Sequence, residues 1–137
     1  MDNLYQEKIS HLNDLVKLSR IDGQESPNEI TFINAVAEKL GIGKEDLKKI
    51  RETNLNIEFT PPGDIYHVMM QYHRIIILMG IDRIISASEM NFCLDLGLKM
   101  NLKIEAIREI LESAIQAPRH IVPVEVIEKI FYKYYNQ

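Results

Sequence analysis

Slid against itself by 60 residues without a gap, this chain matches its own sequence. Residues 18–52 pair with 78–112, and ten of the 35 positions are identical, among them Ile21/Ile81, Asp22/Asp82, Ser26/Ser86, Glu29/Glu89, Phe32/Phe92 and Lys39/Lys99. That is several times what composition alone supplies, so the chain reads as a duplicated unit. Apolar character also persists at Ile30/Met90, Val36/Leu96, Leu40/Met100 and Leu47/Ile107. Neither copy can bury its apolar face alone. The expectation is one domain over residues 1–137, with repeat one at about 4–52, repeat two at about 64–112 and both around a shared core with a pseudo-two-fold axis.

The period within each copy is helical. Leu12, Leu15, Val16 and Ser19 fall at i, i+3, i+4 and i+7, predicting a helix over 4–20. A second, over 27–40, carries Ile30, Ile33, Val36, Ala37 and Leu40 on one face and ends at Gly41 and Gly43. A short third covers 44–52, and residues 53–63, with Pro61 and Pro62, form a loop. The fourth, over 64–80, is apolar almost all round, with His67, Gln71 and Arg74 on one narrow stripe, so it belongs in the middle of the bundle. Helices over 87–100, 103–116 and 123–135 complete an all-α bundle of about seven helices: two three-helix repeats and a C-terminal addition.

The repeated motif is Ile-Asp-x-x-x-Ser-x-x-Glu. Ser26-Pro27-Asn28-Glu29 and Ser86-Ala87-Ser88-Glu89 are capping boxes, in which the serine hydroxyl accepts from the N3 amide and the glutamate accepts from the cap amide. Serine and glutamate are thereby accounted for without a ligand. Asp22 and Asp82 stand outside the boxes, each four residues before its cap serine. One reading has them satisfy turn amides, helped by Gly23 in the first copy. The other gathers Asp22, Glu25 and Glu29 with Asp82 and Glu89 around a divalent cation. An EF-hand is excluded, because a loop begun at Asp22 puts Pro27 where glycine belongs and Ile33 at the twelfth position. A calcium or magnesium site would need both turns side by side.

The stretch Leu18-Ser-Arg-Ile-Asp-Gly-Gln-Glu-Ser-Pro-Asn-Glu, with Phe32, Ala37 and Leu40-Gly-Ile, resembles the TerB-like family of tellurite-resistance proteins, and residues 78–102 match the pattern more faintly. The resemblance implies a compact bundle of about seven helices in two pseudo-symmetric halves, a part in tellurite or other chemical-stress resistance, and metal-responsive assembly at the membrane, in a family with no established catalytic activity. The second copy departs from the pattern, with Arg83 and Ile85 replacing Gly23 and Glu25, which halves its acidic character.

Other classes find little footing. Net charge is −4, and Lys44, Lys48, Lys49 and Arg51 on the third helix are interspersed with Glu45, Asp46 and Glu52, so no nucleic-acid footprint emerges. The longest apolar run, residues 75–79, is far short of the roughly twenty residues a membrane span needs. No signal-like segment opens the sequence, and its lone cysteine makes no internal disulfide, so a cytoplasmic location is expected. His11, His67, His73 and His120 form no pair at i, i+3 or i+4, which argues against a zinc site. His73, among Tyr66, Met70 and Ile77, reads as a hydrogen-bonded core histidine. Phosphate loops, nucleophile elbows and zincin helices are absent, and Cys93 lies in an apolar pattern, so no enzyme is expected and no cofactor beyond a possible divalent cation.

What is left is a protein-interaction module. In the C-terminal Phe131-Tyr-Lys-Tyr-Tyr, a core seam through Phe131 and Tyr134 would leave Tyr132 and Tyr135 toward solvent, as a surface for a protein partner or a second copy in a homodimer.

Overall fold

The computed structural model describes residues 3–52 and 56–135. They form seven α-helices and one 3-10 turn, with no strand: α1 Asn3–Ser19, α2 Pro27–Lys39, α3 Lys44–Glu52, α4 Ile65–Gly80, α5 Ala87–Lys99, α6 Ile104–Gln116, the turn Pro118–His120, and α7 Val124–Tyr135. Of the expected 53–63 loop, 53–55 lie outside the described residues, and 56–62 carry no regular structure.

The helix ends follow from local chemistry. Ser26 accepts from the Glu29 amide at 3.1 Å while Glu29 Oε1 accepts from the Ser26 amide at 2.8 Å, and Ser86 and Glu89 do the same at 3.1 and 2.9 Å. The C-termini of α2 and α5 close by one device. Gly41 (φ +76°) and Asn101 (φ +67°) take the left-handed conformation, and the next amides, of Ile42 and Leu102, reach back to the carbonyls of Ala37 and Gly97. Gly43, expected to help end α2, has no left-handed φ and instead opens α3, where its carbonyl accepts from the Leu47 amide.

Helix α4 occupies the centre, packing on α1, α5, α6 and α7, while α1 packs on α2, α3 and α4. Its apolar circumference therefore has neighbours on nearly every side. Tyr72 is fully buried and donates its hydroxyl to the Cys93 carbonyl at 2.8 Å, and burial pushes the Cys93 thiol far above its ordinary range. Cys93 is a packed small hydrophobe, not an exposed nucleophile. His73 Nε2 donates to the Val122 carbonyl at 2.8 Å, since a carbonyl oxygen can only accept.

Helix α1 departs from a simple amphipathic reading. Ser10, His11, Asn13 and Asp14 are buried alongside Leu12, Leu15 and Val16. The segment after α3 contributes to this cover: the Thr60 amide donates to Ser10 Oγ at 2.9 Å, and the Lys99 ammonium lies 4.3 Å from the Phe59 ring centre. His11 Nε2 has no hydrogen-bond partner, and burial, with the charge of Arg74, depresses the imidazole to about 3. Burial raises the Asp14 carboxyl to about 6, against the pull of Lys99 and Lys17.

Between α6 and α7 the chain turns tightly, with Arg119 and His120 both at φ 58°. His120 Nδ1 lies 3.0 Å from the Ala114 carbonyl, and its own carbonyl rests where a Cβ on Gly80 would be, 2.3 Å away. Gly80 thus lets this turn lie directly on α4. Among the described residues no helix is long and apolar enough to cross a membrane.

Candidate functional site

The two acidic turns come together. Asp22, Glu29, Asp82 and Glu89 line one cleft of about 220 Å³, with Leu78 and Met79 among its apolar residues. The Asn28 amide nitrogen donates to Asp82 Oδ1 at 3.1 Å, joining the start of α2 to the turn before α5. Burial raises the Glu29 and Glu89 carboxyls; the fields of Asp82 and Glu89 add to this at Glu29, and those of Asp22 and Asp82 at Glu89, against the cap amides that favour the ionised forms. Among the described residues no three carboxylate, imidazole or thiol groups are arranged to hold a metal ion. The cap hydrogen bonds explain part of this, since Glu29 and Glu89 each commit one oxygen to a backbone amide.

Glu25 is not in that cleft. Its carboxylate, with only 6% of the side chain exposed, meets Arg51 Nη1 at 2.6 Å and Arg20 at 3.1 Å. Arg20 Nη1 also donates to the Arg51 carbonyl at 2.8 Å, so the end of α1, the start of α2 and the end of α3 are tied at one point. Sequence spacing could not show this, because Arg51 lies 26 residues from Glu25.

That tie closes one end of a larger groove between α2 and α3, of about 840 Å³. Ile30, Ala37, Ile42 and Leu47 supply its apolar lining; Asn34 and Glu38 stand on the α2 wall, and Lys44 and Lys48 on the α3 wall. Ile30, read from the helical period as a core residue, is 39% exposed here. Sixty residues on, α5 lies so close to α6 that a Cβ on Gly97 would meet Ile107 Cδ1 at 2.8 Å. The residues at the corresponding places in the first half are Ala37 and Leu47, and there the groove stays open. The α2 periodicity gives no sign of it, since Ile30 shares its apolar face with Ile33 and Ala37.

The C-terminal tyrosines divide differently from the expected pattern. Tyr132 is 67% exposed. Tyr135 is half-buried, packs its ring on Phe131 and accepts from the Lys103 amide at 2.7 Å. Tyr134 is also half-buried and donates its hydroxyl to Glu109. Only Tyr132 is a largely exposed side chain of this pair, because Tyr135 binds its own domain. His67 is exposed, with Nδ1 against the Asp64 cap carboxylate, and shares no site with His73.

Comparison with protein-family models, with curated proteins and with solved structures finds no match to this chain.

Proposed function

We propose that this chain is a non-enzymatic, cytoplasmic interaction module that receives a protein partner in the α2–α3 groove. The observation that carries the reading is the groove itself, an open cleft of about 840 Å³ with an apolar lining and charged groups along its walls. Clefts of this size and make-up are where ligands bind. Tyr132 alone is a smaller and more isolated anchor, and serves as a secondary contact for a partner or a second copy.

The same reading takes the chain as TerB-like and built from two pseudo-symmetric three-helix units. The capping boxes at Ser26 and Ser86 and the left-handed helix ends at Gly41 and Asn101 support it, since both pairs are 60 residues apart. A role in chemical-stress response follows from that resemblance. The test compares proteins captured by the parent chain with those captured by Ile30→Asp, whose half-exposed site tolerates a carboxylate. Partners lost in the variant, at an unchanged unfolding midpoint, support the reading; an identical set of partners overturns it.

A second reading rests on the acidic cleft, where Asp22, Glu29, Asp82 and Glu89 meet. These carboxylates would hold a divalent cation after side-chain rearrangement, or through its hydration shell as magnesium prefers. Thermal unfolding of chelator-treated protein, titrated with calcium, magnesium, manganese and zinc, separates the readings. A cation that binds the folded state raises the midpoint by mass action, and Asp22→Asn with Asp82→Asn removes that rise. A module that uses only the groove is indifferent to every ion.

A further inference from the structure

We infer that the occupant of the α2–α3 groove is an amphipathic helix of another protein, carrying carboxylates along the edge that faces α3. This rests on the groove being the binding surface, and adds the chemistry of the partner. Four cations and two carboxylates line the groove, Arg20, Lys44, Lys48 and Arg51 against Glu38 and Glu52, on a chain whose net charge is −4. Glu25 neutralises part of the arginine charge at the closed end. Lys44 and Lys48 are exposed and, among the described residues, neither is in an ion pair. On the α3 wall Lys44 and Lys48 thus present cations outside any ion pair among the described residues, beside Glu52 at its end, while Glu38 stands on the facing wall.

The spacing favours a helix as the guest. Lys44 and Lys48 are one turn apart, about 6 Å along the axis. Two carboxylates at i and i+4, or i and i+3, on a helix lying between the walls would meet them in register. From the exposed Ile30 to the buried Ala37 at its floor the lining runs over about two turns of α2, the length of a guest helix with anchors at i, i+3 or i+4, and i+7. Ile30 is the exposed apolar contact, while Ala37, Ile42 and Leu47 are buried and form only the floor; with no convergent polar anchor there, discrimination falls to the charges on the walls. A basic edge would meet like charge on α3.

The experiment is selection of a randomised displayed peptide library against the folded full chain. Enriched sequences are then measured by fluorescence anisotropy against the parent, Ile30→Asp and Lys44→Glu/Lys48→Glu, each checked for an unchanged unfolding midpoint. The expected result is a consensus with apolar residues at helical spacing and Asp or Glu on one edge. Binding should be abolished by Ile30→Asp and weakened about tenfold or more by the double charge reversal. Enriched peptides that need Ile30 but lack an acidic edge, or are indifferent to the charge reversal, overturn the acidic partner and leave the groove as a binding surface. Failure to enrich any peptide, or enrichment of peptides indifferent to Ile30→Asp, overturns both. Peptides that are lost instead in Asp22→Asn/Asp82→Asn place binding at the acidic cleft and likewise overturn the proposal.

Discussion

Asp14→Asn isolates one of two opposing titrations on α1. Asp14 is 8% exposed and its carboxyl rises from 3.8 to about 6, whereas His11 is 2% exposed and falls from 6.5 to about 3. A raised carboxyl stabilises the fold when protonated, so its contribution is full below pH 3.8 and is lost as pH rises through 6. A depressed imidazole does the opposite: its contribution is full above pH 6.5 and is lost as pH falls toward 3. Between about pH 4 and 6 the two slopes are equal and opposite, at about 1.4 kcal/mol per pH unit. Removing the carboxyl should leave the histidine slope unopposed. The shift at Asp14 corresponds to about 3 kcal/mol, so Asp14→Asn should match the parent near pH 4 and be about 3 kcal/mol more stable at pH 7. Urea unfolding of both proteins at half-unit steps from pH 4 to 8 reads this directly, and taking the difference removes every other titrating group. A difference that does not change with pH would refute the burial of the Asp14 carboxyl.

Three further outcomes follow from single contacts. Gly80→Ala places a methyl against the His120 carbonyl and should destabilise the fold by about 2 kcal/mol in denaturant titrations, whereas Gly63→Ala, with open space at its Cβ, should have a far smaller effect. Glu25→Gln leaves two guanidinium groups without their carboxylate at a partly buried site; the loss should be about 2 kcal/mol, read as a midpoint lower by about 6 °C, and a double-mutant cycle with Arg51→Met should show coupling. Ser26→Ala should lose about 1 kcal/mol with or without divalent cations, because its hydroxyl caps α2.

The helices were legible because their signals are local. Capping boxes, left-handed helix ends and apolar period each lie within a few residues, and α4 announced its central place by having almost no polar surface. What escaped depends on residues far apart in the chain. Glu25 looked like a member of the acidic cluster until the fold brought Arg20 and Arg51 to it. Tyr135 looked free because its partner, the Lys103 amide, lies 32 residues away. Ser10, in the buried polar run on α1, is met by Thr60, from a segment whose path no periodicity encodes. The groove is subtler: it arises from a space left between α2 and α3, which the apolar period of neither helix encodes, and Ile30 reads in sequence as one more core residue. The meeting of the Asp22 and Asp82 turns was framed from the repeat as a condition for a cation site, and only tertiary structure could bring the two together.

The central claim is that partners enter between α2 and α3. The most direct measurement is an amide chemical-shift map of the isotope-labelled full chain, titrated with the tightest peptide from the library selection. The account predicts saturable shifts concentrated at Ile30, Ala37, Ile42, Leu47 and the neighbouring α3 amides. Shifts centred instead on Tyr132 in α7, or on the Asp22 and Asp82 turns, would contradict it.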